Sequence, residues 1–304
     1  MSTLASERRH PRARPRRLAA IAGGTLLAGA LVTGLPVPSQ ARVVTLRAPG
    51  DSMIRVARSD FVMGSSNDDV HAAIAHCATE PLGHRCSERT FTNELPKLAA
   101  SLGSFWLDRT EVTVEAYERC VELGACAARK LTGGERRLAA STLPVTLVSA
   151  YDAEAFCRFR GARLPSEAEF ERAARGTNGR TYPWGNLYNS RLANHGRLGL
   201  ERVDPSDGFE ELAPVSSFVA GRTPDGFLDL AGNAAEWTSD VYTERHGLPP
   251  EPGRTGERVV KGGHFAQGAA WLRGAARAAL DAGERSPFVG FRCARSAEAA
   301  DRGP

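Results

Sequence analysis

Six cysteines, seven histidines and several close-set carboxylates are the side chains of this 304-residue sequence with chemistry to offer. His71, His76, Cys77, His84 and Cys86 fall within sixteen residues, a mixture of nitrogen and sulfur ligands that zinc accepts. Their spacing follows no common zinc pattern, and the alternative is a bond between the two cysteines. Six cysteines allow fifteen pairings. Spacing nominates Cys77–Cys86 and Cys120–Cys126 as local bridges and leaves Cys157 and Cys293 for each other. Glu167, Glu169 and Glu171 are close enough to suggest acid–base pairs, but helix capping and solvation account for them. His264 is a lone histidine, either a base or ligand in a groove or a packing residue. Asp207, Asp229 and Glu236 are hard oxygen donors of the kind calcium takes, and read equally as two turn residues and a solvated charge. No phosphate-binding loop, nucleophile elbow or His-Glu-x-x-His run is present.

The elements that must position these residues are few. Residues 53–64 mix apolar and polar side chains in partial alternation and read as a strand or hairpin. Residues 65–94 are largely polar and read as a long loop pinned by Cys77–Cys86. Phe105-Trp106-Leu107 is a short strand. Thr113 caps a helix running to about Leu123, with Gly124 at its end. Ser149 opens a second helix that ends near Arg160, ahead of Gly161. Ser166-Glu167-Ala168-Glu169 is a capping box, in which serine and the third-position glutamate satisfy each other's amides, and Gly176 ends that helix. From residue 176 onward, Gly, Pro, Asn and Asp punctuate short apolar runs. Long aperiodic loops that carry Trp and Phe need pins, and bridges or bound cations supply them.

At the N-terminus, six arginines precede an uncharged Ala/Gly/Leu-rich stretch, 18–35. Ser39-Gln40-Ala41 then places small residues at −3 and −1 of a cleavage after Ala41, the pattern of an export signal. An uncleaved anchor is the rival, although the stretch is only mildly hydrophobic for a membrane span. The formal charge of the whole chain is +4. Residues 1–41 hold a net +5 of it, so the remainder is −1 and offers no net basic charge to nucleic acid or an anionic membrane. The expected organisation is a signal over 1–41, a linker over 42–52, one domain over 53–296 and a tail over 297–304, in a secreted or periplasmic protein whose cysteines are oxidised. A Cys157–Cys293 bridge would close a loop of well over a hundred residues, worth on the order of 4–5 kcal/mol.

Several segments, in order, resemble one family. Trp106-Leu107-Asp108-Arg109-Thr110-Glu111-Val112-Thr113 resembles its D-x-x-E-V-T helix start, and Pro144 to Cys157 its P-V-x-x-V-S stretch. Arg163-Leu164-Pro165-Ser166-Glu167-Ala168-Glu169-Phe170-Glu171 is close to R-L-P-T-E-A-E-W-E. Tyr182-Pro183-Trp184-Gly185, Leu228 to Trp237, Lys261-Gly262-Gly263 and Gly290-Phe291-Arg292-Cys293 complete the series. With residues 53–64, which resemble the opening strand, they run in order across Met53 to Arg295, 243 of 304 residues, and are similar to the formylglycine-generating enzyme, or sulfatase-modifying factor, family. The resemblance implies a single α+β domain, C-type-lectin-like and low in regular secondary structure.

It also implies two calcium ions. One site would take the side chains of Asn194 and Asp207 with the carbonyls of His195 and Phe209. The other would take Asp229 and Glu236 with the carbonyls of Gly232 and Ala234, four residues close enough for one loop to wrap an ion. Family enzymes oxidise a substrate cysteine with oxygen at copper(I) held by two thiolates, ligands whose softness selects that ion. Here the first of those cysteines falls on Gln267 and the second at or near Leu272, and no cysteine lies between Cys157 and Cys293. Copper is therefore not expected. The resemblance supports a Cys157–Cys293 bridge. The expected function is a non-catalytic, calcium-braced module that binds a peptide, a glycan or a partner protein, such as a sulfatase or an active paralogue. The alternatives are a formylglycine-generating oxidase with cysteines drawn from elsewhere, such as Cys77 and Cys86, another activity built around His264, or a regulator of an active paralogue.

Overall fold

Serine and threonine caps start all four α-helices of the described structure. The computed structural model describes residues 53–197, 204–251 and 256–297, within the unit 45–304. The expected export signal, the linker and the tail beyond 297 lie outside the described residues.

Helix α1 (Asn67–Ala78) begins at Ser66, α2 (Val114–Glu122) at Thr113, α3 (Ala150–Phe159) at Ser149 and α4 (Glu167–Arg175) at Ser166. Ser66, Ser149 and Ser166 each form a full capping box with an acid three residues on, satisfying two otherwise orphaned amides. The α1 helix corrects the expectation of a loop over 65–94. Its sequence is polar because only a narrow stripe, Val70, Ala73 and Cys77, is buried. Ser66 and Asp69 supply the start signal, and the Cys77–Cys86 bond ties the helix end to the following 3-10 turn.

Among the described residues, nine short strands form three sheets. Strand β4 (Phe105–Asp108) lies between β1 (Met53–Val56) and β9 (Ala294–Ser296), antiparallel to both, so the two ends of the domain meet. Strands β2 (Ser59–Met63) and β3 (Leu98–Leu102) form a ribbon. Residues 53–64 are thus two strands that belong to different sheets. The third sheet runs β7 (Arg277–Asp281), β6 (Glu257–Lys261), β5 (Ala235–Val241) and β8 (Val289–Gly290). Beyond residue 176 the described helical structure is limited to 3-10 turns.

The main core gathers Tyr117, Phe156 and Phe291, with ring centroids 5.8 Å apart for the first two and 5.4 Å for the last two. Trp237, fully buried beside them, donates its indole N–H to the Val148 carbonyl at 3.0 Å, so its polar edge is satisfied as its ring is desolvated. All six cysteines are paired, Cys77–Cys86, Cys120–Cys126 and Cys157–Cys293. The last joins α3 to the Gly290–Cys293 segment and makes one body of the helical layer and the closing strand.

Candidate functional site: a groove, two acidic loops and a buried ion-pair network

After β6 the chain turns through Gly262 and Gly263, both at positive φ. A side chain at Gly263 would also strike the Trp271 carbonyl at 2.7 Å, so glycine alone fits this turn. The turn delivers His264 and Gln267 to the wall of a cavity of about 180 Å³, lined besides by Ala235, Val260, Trp271 and Phe288. Gln267 Oε1 accepts the His264 amide at 3.1 Å, and His264 Nδ1 accepts the Ala266 amide at 3.2 Å. The second bond assigns the ring proton to Nε2. The imidazole stacks on Phe288 with centroids 4.5 Å apart, and burial pushes its pKa down to about 4. At neutral pH His264 is therefore an uncharged hydrogen-bond donor on an apolar wall.

Copper(I) does not fit this donor set. Gln267 carries an amide, and Leu272 is wholly buried, packed in a cluster with Tyr182, Ala193 and Ala231. It is Trp271 that lines the cavity. The Cys77–Cys86 pair packs in one cluster with Ala270 and Trp271, which places it beside this segment. Its sulfurs are joined to each other, so the histidine–cysteine cluster offers no thiolate to zinc or copper.

Oxygen donors gather elsewhere. Asp207 accepts the amides of His195 at 2.7 Å and Phe209 at 2.9 Å, which brings together the four residues of the first expected calcium set. Asn194 donates its side-chain amide to the Glu211 carbonyl and to Asn233, while its Oδ1 is buried without a partner. In the second set, Asp229 sits at φ +56 and accepts the Ser216 amide at 2.8 Å. Glu236 on β5 is held by Arg292 through two 2.7 Å bonds. Gly232 lies against the Asn194 carbonyl, where a Cβ would find 2.0 Å, so the two loops touch.

Glu111 joins this second set, and sequence reading missed it. One of its oxygens accepts the Ala234 amide at 3.3 Å, while Oε2 is buried with no partner. Burial raises the pKa of Glu111, Asp229 and Glu236, Asp229 and Glu236 push Glu111 further up, and Arg292 opposes the rise in all three. Three buried carboxylates facing one guanidinium leave a formal charge of −2, which a divalent cation would cancel. Two orphaned buried oxygens and this deficit of positive charge fit calcium. The one available signal for Glu111 was an acid set directly before the buried Val112, just ahead of the Thr113 cap.

The Glu167/Glu171 pair behaves differently from the expectation of solvated helix charges, and the correction has a clear cause. The face of α4 that carries both acids packs against β6 and β7. Lys261 Nζ lies 2.9 Å from Glu171 and 3.7 Å from Glu167, Arg277 grips Glu167 at 2.7 and 2.9 Å, and Arg175 bonds Glu171 at 2.7 Å. Glu169 alone fulfils the capping role, with Arg163 on its outer side. Carboxylate oxygens of Glu167 and Glu171 lie within 4.8 Å of a His246 nitrogen, the one group of three so tightly converged among the described residues. Glu111, Asp229 and Glu236 are less closely drawn together. Three cations already occupy the Glu167/Glu171 pair, so this is an ion-pair network and an unfavourable place for a metal.

A sequence model of the family described as the sulfatase-modifying factor enzyme 1-like domain matches residues 40–297, and the chain belongs to that family of formylglycine-generating enzymes and their relatives. It is 39% identical over 164 residues to the inactive C-alpha-formylglycine-generating enzyme 2 of Mus musculus, covering 51% of this chain and 50% of that one. Against the formylglycine-generating enzyme of Streptomyces coelicolor it is 35% identical over 176 residues, covering 51% and 53%. The chain thus spans about half the length of the curated relatives it matches. Among solved structures, PvdO from Pseudomonas aeruginosa superposes with a TM-score of 0.61 at 22% identity, over 81% of this chain and 94% of that one. Treponema denticola variable protein 1 gives 0.59 at 20%, over 81% and 95%. At such identities these two establish the fold alone.

Proposed function

We propose that this chain is an exported, non-catalytic binding module in which calcium braces the loops and the His264–Gln267 groove takes a side chain of a peptide, glycan or partner protein. The observation that carries the reading is the chemistry of the groove: both copper-cysteine positions hold other residues, and every cysteine of the chain is committed to a disulfide. One scaffold serves many functions when its site is rebuilt. What the groove retains is recognition chemistry, an imidazole N–H and an apolar wall, without a redox centre. A relative named as inactive, at 39% identity, supports the same direction.

Calcium would be held by Asp229, Glu236 and Glu111 in one loop set, and by Asn194 and Asp207 in the other. Its contribution would be to neutralise buried carboxylates and order segments that have little regular structure of their own. Sulfatases and active paralogues are the partner proteins that family membership suggests.

The deciding experiment is a turnover assay on a cysteine-containing sulfatase-type peptide, with copper(I) supplied and the product followed by mass spectrometry. The reading expects no aldehyde above the level without protein. Copper-dependent conversion abolished by Gln267→Ala would overturn it.

A further inference from the structure

A second cavity, of about 230 Å³, lies between α1 and the loop that carries Tyr182 and Tyr188. It shares none of its lining with the His264 groove, so its ligand chemistry is independent of the function proposed for that groove. Two guanidiniums line it, Arg175 and Arg273, with side chains only 7% exposed. Arg273 is held by Glu94 at 2.8 and 2.6 Å and by the Ala270 carbonyl at 2.8 Å. A guanidinium has five N–H groups, so two of those on Arg273 meet no acceptor among the described residues. Arg175 is fixed by Glu171 and by the carbonyls of Gly64, Gly179 and Arg180.

The charge balance points the same way. Arg277 at the wall of the His264 groove, Glu167, Lys261, Glu171 and Arg175 form one continuous buried chain of ion pairs whose other end, Arg175, lines this cavity. It holds three cations and two carboxylates, a surplus of one positive charge in a poorly solvated setting. Lys97 stands at the mouth with Asp69, 2.7 Å apart and both partly exposed. The walls are aromatic: Tyr182 and Tyr188 have centroids 5.6 Å apart, and His76 approaches Tyr188 edge-on.

We propose that this cavity binds a small monocarboxylate whose ring or other flat apolar body lies against Tyr182 and Tyr188. Glu94 and the Ala270 carbonyl already fill the forks of Arg273, so a carboxylate would take a single charge-assisted hydrogen bond from one of its remaining N–H groups. A single negative charge equals the surplus, and the aromatic walls accept a flat body. The volume exceeds the roughly 150 Å³ in which an apolar protein cavity holds benzene, so a benzoate-sized molecule fits.

Benzoate, benzamide and sodium sulfate are the probes, applied to the full chain by saturation-transfer NMR and calorimetry. Benzoate binds, uncharged benzamide binds at least about tenfold more weakly, and sulfate does not displace benzoate. Arg273→Ala would strand Glu94 in the interior, so the variant of choice is Ala72→Trp, which fills the cavity from an exposed position on α1 and leaves the ion pairs intact. It abolishes benzoate binding with an unchanged thermal midpoint, and Lys97→Glu weakens it several-fold. Absence of benzoate binding, equal binding of benzamide, displacement by sulfate, or undiminished binding in folded Ala72→Trp would each overturn the assignment.

Discussion

Arg292 holds both carboxylate oxygens of Glu236, each at 2.7 Å, and neither side chain reaches solvent. Its remaining N–H groups go to the carbonyls of Asp108, Arg109, Leu228 and Asp229. The guanidinium is thus committed, and among the described residues Glu111 and Asp229 are left without a cation of their own. Calcium in excess should therefore raise the thermal midpoint. At a hundredfold excess over Kd the gain is about 2.7 kcal/mol, roughly 5–10 °C for a domain of this size. Glu111→Gln should melt higher than the parent in EDTA, because one buried charge is gone, and respond less to calcium. An undiminished calcium response in that variant would remove Glu111 from the site.

The groove geometry can be checked by thiol reactivity. Gln267 lines the cavity while Leu272 is enclosed in a core cluster. Gln267→Cys should react readily with a maleimide in the native protein, and Leu272→Cys only after unfolding. Equal rates would mean that the segment after Gly268 runs differently.

The parent protein should show no alkylatable thiol before reduction, since its six cysteines form three bridges. Replacing Cys157 and Cys293 with alanine opens a loop with a sequence separation of 136, and the loss of stability should be on the order of 4–5 kcal/mol. Opening Cys120–Cys126, with a separation of 6, should cost much less. Urea midpoints of the two double variants, ranked the other way, would contradict the loop-length argument.

Acid should find the half-buried His264 and the buried His246. Burial pushes His264 down to about 4, and His246 likewise, there with help from Arg277 and Lys261 against the opposing pull of Glu171 and Glu94. An unfolded histidine titrates near 6.5, so between these values the unfolded chain binds more protons and stability rises with pH. Lowering pH from about 6.5 to 4 should therefore remove on the order of 3 kcal/mol per histidine. Buried carboxylates such as Asp108, pushed up to about 7 by desolvation, act with the opposite sign. His264→Gln measured beside the parent isolates the histidine, and the two stability curves should converge toward pH 4. Parallel curves would show that His264 is not held neutral.

Helix starts at Thr113, Ser149 and Ser166, the local cysteine staples and the missing thiolates were legible in the sequence because each is a short-range fact. A capping box needs four residues, and a cysteine that is absent from the chain is absent from any fold of it. What the tertiary structure decided was which charges are buried and with whom. Glu171 meets Lys261 across 90 positions, Glu167 meets Arg277 across 110 and Glu236 meets Arg292 across 56, and no local spacing announces such pairs. The same holds for Glu111, whose orphaned oxygen appears only when the 229–236 loop closes over it. Helix α1 escaped notice for a related reason. Its buried stripe is three side chains wide, and only packing against Phe91 and Ala270 shows that those three suffice.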